Sequence, residues 1–201
     1  SLNGKLFNLN HMMPKLGITY YDKENPDFAA YLNLKNPVQF PLLKGDVNPA
    51  DGFVYVTGFR VRGSKSVRVS GLARIKQASK HSTLPKAIKV FKQGILLSFH
   101  SRIREESINP EHFHLERWNY LRSQGSGHYL RNGKPGKEKV SFSSVTLTKD
   151  GKSIFIAVPD MQLIDQMSLS WQMIDEHNQK LHNNIYFSVK ALPEFIGKLK
   201  E

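Results

Sequence analysis

The stretch Met167-Ser168-Leu169-Ser170-Trp171-Gln172-Met173 decides the fold class. Apolar and polar residues alternate along it with a spacing of two, so every apolar side chain points to the same face of an extended strand. The opposite face carries serine and glutamine, which is typical of a sheet that is packed on one side only. The sequence therefore predicts a strand here, with Trp171 in the core.

The neighbouring segments predict more strands of the same kind. Residues 185–189 alternate in the same way and supply the returning strand after a turn. Upstream, two pairs of short β-branched runs flank turn residues and predict β-hairpins, namely 87–91 with 95–99 and 145–147 with 154–158. Several short strands joined by turns favour an antiparallel sandwich over helices between parallel strands.

The N-terminal part is less regular. Prolines interrupt residues 1–45, so only a short helix at 26–32 is expected there. The turn-forming residues 48–52 lead into the β-branched and aromatic run 53–59, which predicts a strand. A second short strand is predicted around Leu72 and Ile75.

The domain boundary is expected at the polar stretch that ends at Leu84-Pro85. We therefore predict a mainly β chain with an irregular, β-containing segment at 1–84. An antiparallel, immunoglobulin-like β-sandwich is predicted at 85–201. Between the hairpins, Ser107 or Asn109 is expected to cap a helical turn that starts with Pro110.

Composition excludes several classes of protein. The chain has 201 residues and no cysteine, which excludes disulfides, thiolate metal sites and haem attached through Cys-x-x-Cys-His. No apolar run approaches the roughly 20 residues of a membrane-spanning helix. The net charge is +12, but the basic residues are spread over several stretches, so nucleic acid is not an expected partner. A basic surface that keeps the domain soluble, or that meets an acidic polysaccharide or envelope, is the preferred interpretation.

Two sets of motifs carry a family resemblance. Residues 48–58, NPADGFVYVTG, followed by residues 71–75, GLARI, resemble the last propeller-associated segment of large secreted bacterial proteins related to sorbosone and glucose dehydrogenases. A second set resembles the β-sandwich that follows the propeller in those proteins: Trp118-Asn119-Tyr120, the run DGKSIF at 150–155, Val158-Pro159-Asp160 and Gln166-Met167. Together the motifs cover residues 40–190.

The resemblance implies an accessory role. Redox chemistry in that family is associated with the propeller and with attached cytochrome domains, so no catalytic residue and no cofactor is carried over to this chain. It also implies an extracytoplasmic location, periplasmic or secreted, with neighbouring domains of a larger protein as partners. Two alternatives stay open, a carbohydrate-binding module and a part of a sugar oxidoreductase.

The candidate ligand-binding residues lie in a glycine-rich loop, residues 123–139, and on the predicted strand that precedes it. Trp118 and Tyr120 share one face of a predicted strand, and an aromatic ring beside polar groups is a platform for stacking a sugar. Packing of Trp118 in the core or between domains is the preferred interpretation, because burial of this side chain contributes several kcal/mol. The loop adds three candidates that could lie over a ligand, His128, Tyr129 and Arg131.

The candidate metal ligands are His112, His114 and Glu116. Their spacing of two would place all three on one face of a strand, as a facial set of ligands. A solvated strand face that carries His and Glu is the preferred interpretation. Acidic pairs at Asp160 with Asp165, and at Asp175 with Glu176, lie in turns without apolar enclosure, so glycosidase chemistry is not expected.

Overall fold

The computed structural model describes residues 6–10, 12, 14–23, 25–34, 38–76, 82–121, 127–130 and 132–197. Within these residues the chain is built from antiparallel strands and two short 3-10 helices. It divides into two compact units, the first formed by Ser1–Tyr20 with Tyr31–Lys80 and the second by Tyr21–Ala30 with His81–Glu201. The predicted mainly β fold class is confirmed.

The strands of the first unit follow two orders, β1-β2-β3 in one sheet and β4-β5-β6 in another. Tyr21 at the end of β2 and Ala29 and Ala30 at the start of β3 belong to the second unit. The bounds of these strands are β1 Leu6–Asn10, β2 Lys15–Tyr21, β3 Ala29–Asn33, β4 Lys44–Val47, β5 Val54–Phe59 and β6 Ser70–Ile75. A small core of buried side chains lies between them, made of Leu16, Phe40, Leu42, Val54 and Val56.

A pair of glycines lets the chain pack closely on the β5-β6 hairpin. Gly58 of β5 and Gly71 of β6 are register partners. A Cβ on Gly58 would lie 1.9 Å from the carbonyl oxygen of Pro41, and one on Gly71 would lie 2.4 Å from the ring of Phe40. Only glycine leaves room for the backbone and ring that cover this face.

The strands of the second unit follow two orders, β14-β13-β9-β10 in one sheet and β11-β12-β8-β7 in another. The bounds are β7 Ala87–Phe91, β8 Gly94–Ser98, β9 His114–Trp118, β10 Glu138–Lys139, β11 Ser144–Leu147, β12 Ser153–Ala157, β13 Ile164–Ile174 and β14 Lys180–Val189. The 3-10 helices span Glu105–Ser107 and Pro110–His112.

The core of the second unit is formed by the alternation that the sequence shows. All four apolar side chains of the β13 stretch are at most 1% exposed, and so are Ile185 and Phe187 of β14. Trp171 reaches the other sheet, where its ring lies 6.2 Å from that of Phe99. The architecture is therefore sandwich-like, while the immunoglobulin-like topology stays a prediction.

The segment around Glu194 and Phe195, which we call the C-terminal strap, packs on the outer side of the β7-β8 hairpin. The ring of Phe195 stacks on Phe155 at 4.4 Å and lies 5.0 Å from Phe91. The Lys92 ammonium is 3.1 Å from the Glu194 carboxylate, and the Gln93 side chain accepts a hydrogen bond from the Phe195 amide at 2.8 Å. These contacts cover an apolar patch that parity alone would leave exposed.

Most of the predicted strands are confirmed, and one element is wrong. The two hairpins pair as expected, and the Asn109 side chain, rather than Ser107, caps the turn that begins with Pro110. The helix predicted at 26–32 is instead a turn followed by β3, in which Ala30 and Leu32 are buried by the alternation of a strand. The boundary predicted at residues 84 and 85 stays a prediction.

No helix among the described residues is long and apolar enough to cross a bilayer.

Candidate functional site

The outer face of the β14-β13-β9 sheet is polar, in contrast to the face that packs in the sandwich. Register places Ser168 of β13 opposite Glu116 of β9 and Tyr186 of β14. Ser170 lies opposite His114 and Asn184 in the same way. Parity thus collects hydroxyl, amide, carboxylate and imidazole groups on one surface of the second unit.

Trp118 lies at one corner of this outer face and forms the centre of an aromatic cluster, which we call the Trp118 cluster. Its ring centroid is 5.2 Å from that of His128 and 6.4 Å from that of Tyr186, both in edge-to-face geometry. The Lys137 ammonium lies 4.2 Å from the Trp118 ring centroid, a cation–π contact. Tyr120 completes the cluster, 6.2 Å from His128.

Trp118 itself is closed to solvent, whereas Tyr120 is open. The Trp118 side chain is only 3% exposed, since Lys137, His128 and Tyr186 surround its ring. Tyr120 is 42% exposed. The structure therefore brings together three of the predicted ligand-binding residues, Trp118, Tyr120 and His128, of which Tyr120 and His128 are exposed.

Two buried polar atoms on the outer face have no hydrogen-bond partner among the described residues. They are Nε1 of Trp118 and Oδ1 of Asn184. The Asn184 amide nitrogen is used, since it donates to the Tyr186 hydroxyl at 3.0 Å. An unpaired buried donor or acceptor costs about 1–3 kcal/mol, so both atoms gain when water or a ligand supplies the partner.

Within the glycine-rich loop, the described residues 127–130 are paired with the residue that follows β9. Tyr129 exchanges two backbone hydrogen bonds with Asn119, at 2.7 and 3.0 Å, and its side chain is buried. Its ring is therefore not an exposed stacking surface. Arg131 lies outside the described residues.

The predicted metal ligands do not come together as a set. His112 ends a 3-10 helix, so the two-residue alternation of β9 does not extend to it. His114 is exposed, and the Glu116 carboxylate lies 3.7 Å from the Lys137 ammonium. Among the described residues, no three His, Asp or Glu side chains are grouped closely enough to hold a metal ion.

A buried arginine forms an ion cluster that the sequence analysis missed. The Arg117 guanidinium donates to both carboxylate oxygens of Glu138, at 2.9 and 2.8 Å. It also donates to the carbonyl and the carboxylate of Asp160, both at 2.7 Å. These bonds raise the pKa of Arg117, with the Glu138 hydrogen bonds as the largest cause. Arg117 lies two residues after the buried Leu115 and therefore on the same face of β9. A cation predicted at such an inward position is the sequence signal for buried anionic partners.

The ion cluster lines an open cleft of about 420 Å³ together with Leu130, Asn132 and Gln162. Three Arg117 nitrogens are already bonded to the cluster's own oxygens, so the guanidinium serves the fold first. The partners are more exposed than Arg117 itself, which is 6% exposed. The cluster thus neutralises a buried cation at the edge of the sandwich.

The carboxylates with shifted pKa values are all held as anions. The pKa of Asp150 is lowered mainly by the Thr148 hydroxyl and the Lys152 amide, and that of Glu176 mainly by the Arg102 amide. The pKa of Asp51 in the first unit is lowered mainly by the Phe53 amide. A general acid at neutral pH needs the opposite shift, so none of these three groups is poised as a general acid, and their hydrogen bonds stabilise turns.

Comparisons with known proteins give no relative for this chain, since no family model, no curated protein and no solved structure matches it.

Proposed function

We propose that this chain is a non-catalytic interaction module of an extracytoplasmic bacterial protein, in which it positions neighbouring domains. The observation that carries the proposal is the use of charge in the second unit. Its buried cation, Arg117, is neutralised by Glu138 and Asp160, and its carboxylates with shifted pKa values remain anionic in turns. These groups serve folding, whereas catalysis needs ionisable groups with pKa values tuned towards neutrality.

The resemblance to the segment that follows a propeller supports the accessory position. In that arrangement the sandwich is a rigid body that buries its apolar residues in its own core, as Trp171 and its neighbours are buried here. The polar outer face is then left for contact with another domain or a ligand.

The test has a catalytic arm and a binding arm. We expect the purified chain to reduce no artificial electron acceptor when sugars and a quinone cofactor are supplied. We expect it to bind the polypeptide encoded next to it, expressed separately, in a pull-down assay. Sugar-dependent reduction of the acceptor by the chain alone, or a failure to bind its neighbour, would contradict the proposal.

Carbohydrate binding is the second candidate, favoured by the Trp118 cluster. It offers an exposed ring at Tyr120 next to the exposed side chain of His128. An aromatic ring beside hydrogen-bonding groups is the usual geometry for stacking a sugar. A polysaccharide would extend across the outer face from this corner.

Affinity electrophoresis in gels that contain polysaccharide tests this candidate. Tyr120→Ala should abolish the retardation, while the matched control Tyr21→Ala, which removes another exposed tyrosine of the second unit, should leave it unchanged. Trp118→Ala is not a probe of sugar binding, because truncation of this buried ring should cost about 3–5 kcal/mol of stability whether or not a sugar binds. Equal retardation of the wild type and Tyr120→Ala would count against sugar binding.

A further inference from the structure

The β5-β6 hairpin of the first unit, with its connecting residues 60–69, carries several Lys and Arg and no Asp or Glu, and we call it the basic hairpin. The sequence contains no Asp or Glu between Asp51 and Glu105. All the Lys and Arg side chains of the hairpin and its end are exposed, namely Arg60, Arg62, Lys65, Arg68, Arg74 and Lys76. The charge of this element is therefore not compensated along the chain.

The charges of the connecting segment are also uncompensated in space. Among the described residues, no carboxylate forms an ion pair with Arg62, Lys65 or Arg68. Arg60 instead uses its guanidinium to hold the Ser66 carbonyl at 2.7 Å. Uncompensated cations concentrated on one element attract a polyanionic surface.

The same hairpin exposes large apolar side chains. Phe59, Val67, Val69 and Leu72 are between 57% and 81% exposed. Phe59 pairs with Ser70 and Thr57 pairs with Leu72, so Phe59 and Leu72 are diagonal neighbours on the face turned away from Val56 and the core. Exposed apolar groups that are adjacent and surrounded by polar residues mark an interaction surface.

The connecting segment is held in one shape by its own backbone. The Arg60 amide donates to the Val69 carbonyl at 2.6 Å, and the Ser64 amide donates to the Val61 carbonyl at 3.0 Å. Lys65 donates from its backbone to the Met12 carbonyl at 2.8 Å. The exposed valines and the basic side chains are thus presented together by an ordered turn.

We propose that the basic hairpin docks on the surface of an anionic phospholipid bilayer. Basic side chains are attracted to the negative surface potential of acidic lipids, and aliphatic and aromatic side chains gain free energy when they enter the boundary between headgroups and acyl chains. Nucleic acid fits less well, because valine and leucine have no π-face on which a base stacks and Phe59 is the only strongly exposed ring of the element. This inference does not rest on the proposed function, since it concerns the other unit.

Vesicle co-sedimentation of the full chain tests the proposal. We expect binding to vesicles of mixed phosphatidylcholine and phosphatidylglycerol, weakened by added salt, and no binding to phosphatidylcholine alone. The double variant Arg62→Gln with Arg68→Gln should weaken binding about 30-fold, at about 1 kcal/mol for each charge near an anionic surface. The matched control Lys139→Gln with Lys149→Gln removes the same charge from exposed positions of the second unit and should change nothing.

The apolar part of the proposal has its own variants. Val67→Ser with Leu72→Ser should weaken binding at least about tenfold, because two apolar side chains lose their burial in the interface. The control Leu163→Ser with Ile196→Ser alters equally exposed apolar residues of the second unit and should bind as the wild type does. All of these positions are exposed, so thermal melting should be unchanged.

Four results would overturn the proposal. The first is equal binding to both kinds of vesicle, and the second is an equal loss of binding in the hairpin variants and their controls. The third is retention of the chain by a single-stranded oligonucleotide without any vesicle binding, which would assign the surface to nucleic acid. The fourth is concentration-dependent sedimentation, abolished by Val67→Ser with Leu72→Ser, without vesicle binding, which would assign it to self-association.

Discussion

The two units of the chain use charge and apolar surface in opposite ways. The first unit carries 11 Lys and Arg against two Asp, and its basic hairpin leaves both cations and apolar side chains in solvent. The second unit carries 18 Lys and Arg against 15 Asp and Glu, and its inward-pointing cation is enclosed by carboxylates. The net charge of the whole chain therefore conceals two different units: the second is nearly balanced in charge, and the first is strongly basic.

Packing differs in the same sense. In the second unit the alternation of β13 and β14 places nearly every large apolar side chain in the core, and the C-terminal strap covers Phe91 and Phe155 from outside. In the first unit the core is small. β5 includes buried apolar residues such as Val56, whereas β6 alternates between half-buried residues and exposed ones such as Leu72. The second unit therefore buries most of its large apolar side chains, whereas the first unit leaves several of them exposed.

The largest effect is expected from Trp171→Ala in the second unit. Its ring is 1% exposed and contacts Phe99 across the sandwich, so truncation should lower the free energy of unfolding by about 3–5 kcal/mol. Denaturant unfolding followed by Trp118 fluorescence measures it. Phe59→Ser in the first unit is the contrast and should cost less than about 0.5 kcal/mol, because that ring is already solvated. Similar costs for both variants would break the comparison.

The next effect is expected from Gly58→Ala in the first unit. The new methyl group would meet the Pro41 carbonyl, and overpacking of this kind costs about 1–3 kcal/mol. Hydrogen exchange of the β5 and β6 amides should accelerate, whereas Ser70→Ala, at an exposed position of β6, should leave exchange as it is. Unchanged exchange in Gly58→Ala would contradict the prediction. It would show that the chain around Pro41 moves aside without loss of stability, so that the first unit is also less rigid than the second.

A smaller effect is expected from Glu138→Gln, which tests whether the balance of charge in the second unit matters for stability. The amide keeps one acceptor for Arg117 but loses the negative charge, so unfolding should become easier by about 1–2 kcal/mol. Chemical denaturation measures it. Glu111→Gln is the control, because the Glu111 carboxylate is exposed and, among the described residues, forms no ion pair such as that of Glu138 with Arg117. A cost no larger than that of the control would mean that Asp160 alone satisfies the buried cation.

The smallest effect concerns acid. The pKa values of Asp150 and Glu176 are lowered in the folded chain, so their ionisation adds stability above the unfolded pKa and that contribution is lost as the pH falls through the folded value. Stability should therefore fall below about pH 4. Asp150→Asn should flatten this dependence, by less than about 1 kcal/mol because the group is exposed. Thermal melting over a pH series checks it, and an unchanged slope would contradict the assignment.

Much of the second unit could be predicted from the sequence, and less of its candidate site. Alternation identified the buried residues of β13 and β14 because a strand has a fixed two-residue repeat, whatever lies next to it. The three predicted metal ligands do not share one strand face, because a capped proline turn replaces the strand at His112. The helix expected at 26–32 failed because pairing in a sheet outweighed the local preference of Ala29 and Ala30.

Three features follow from the order of residues along the chain alone: the fold class, the inward position of Trp171 and the run without acidic residues after Asp51. Three others needed the folded chain. They are the enclosure of Trp118 by Lys137 and His128, the contact of Arg117 with Glu138 and Asp160, and the exposed diagonal pair of Phe59 and Leu72. The physical reason is that these contacts join residues far apart in the chain, and strand register, which periodicity does not encode, sets which of them meet.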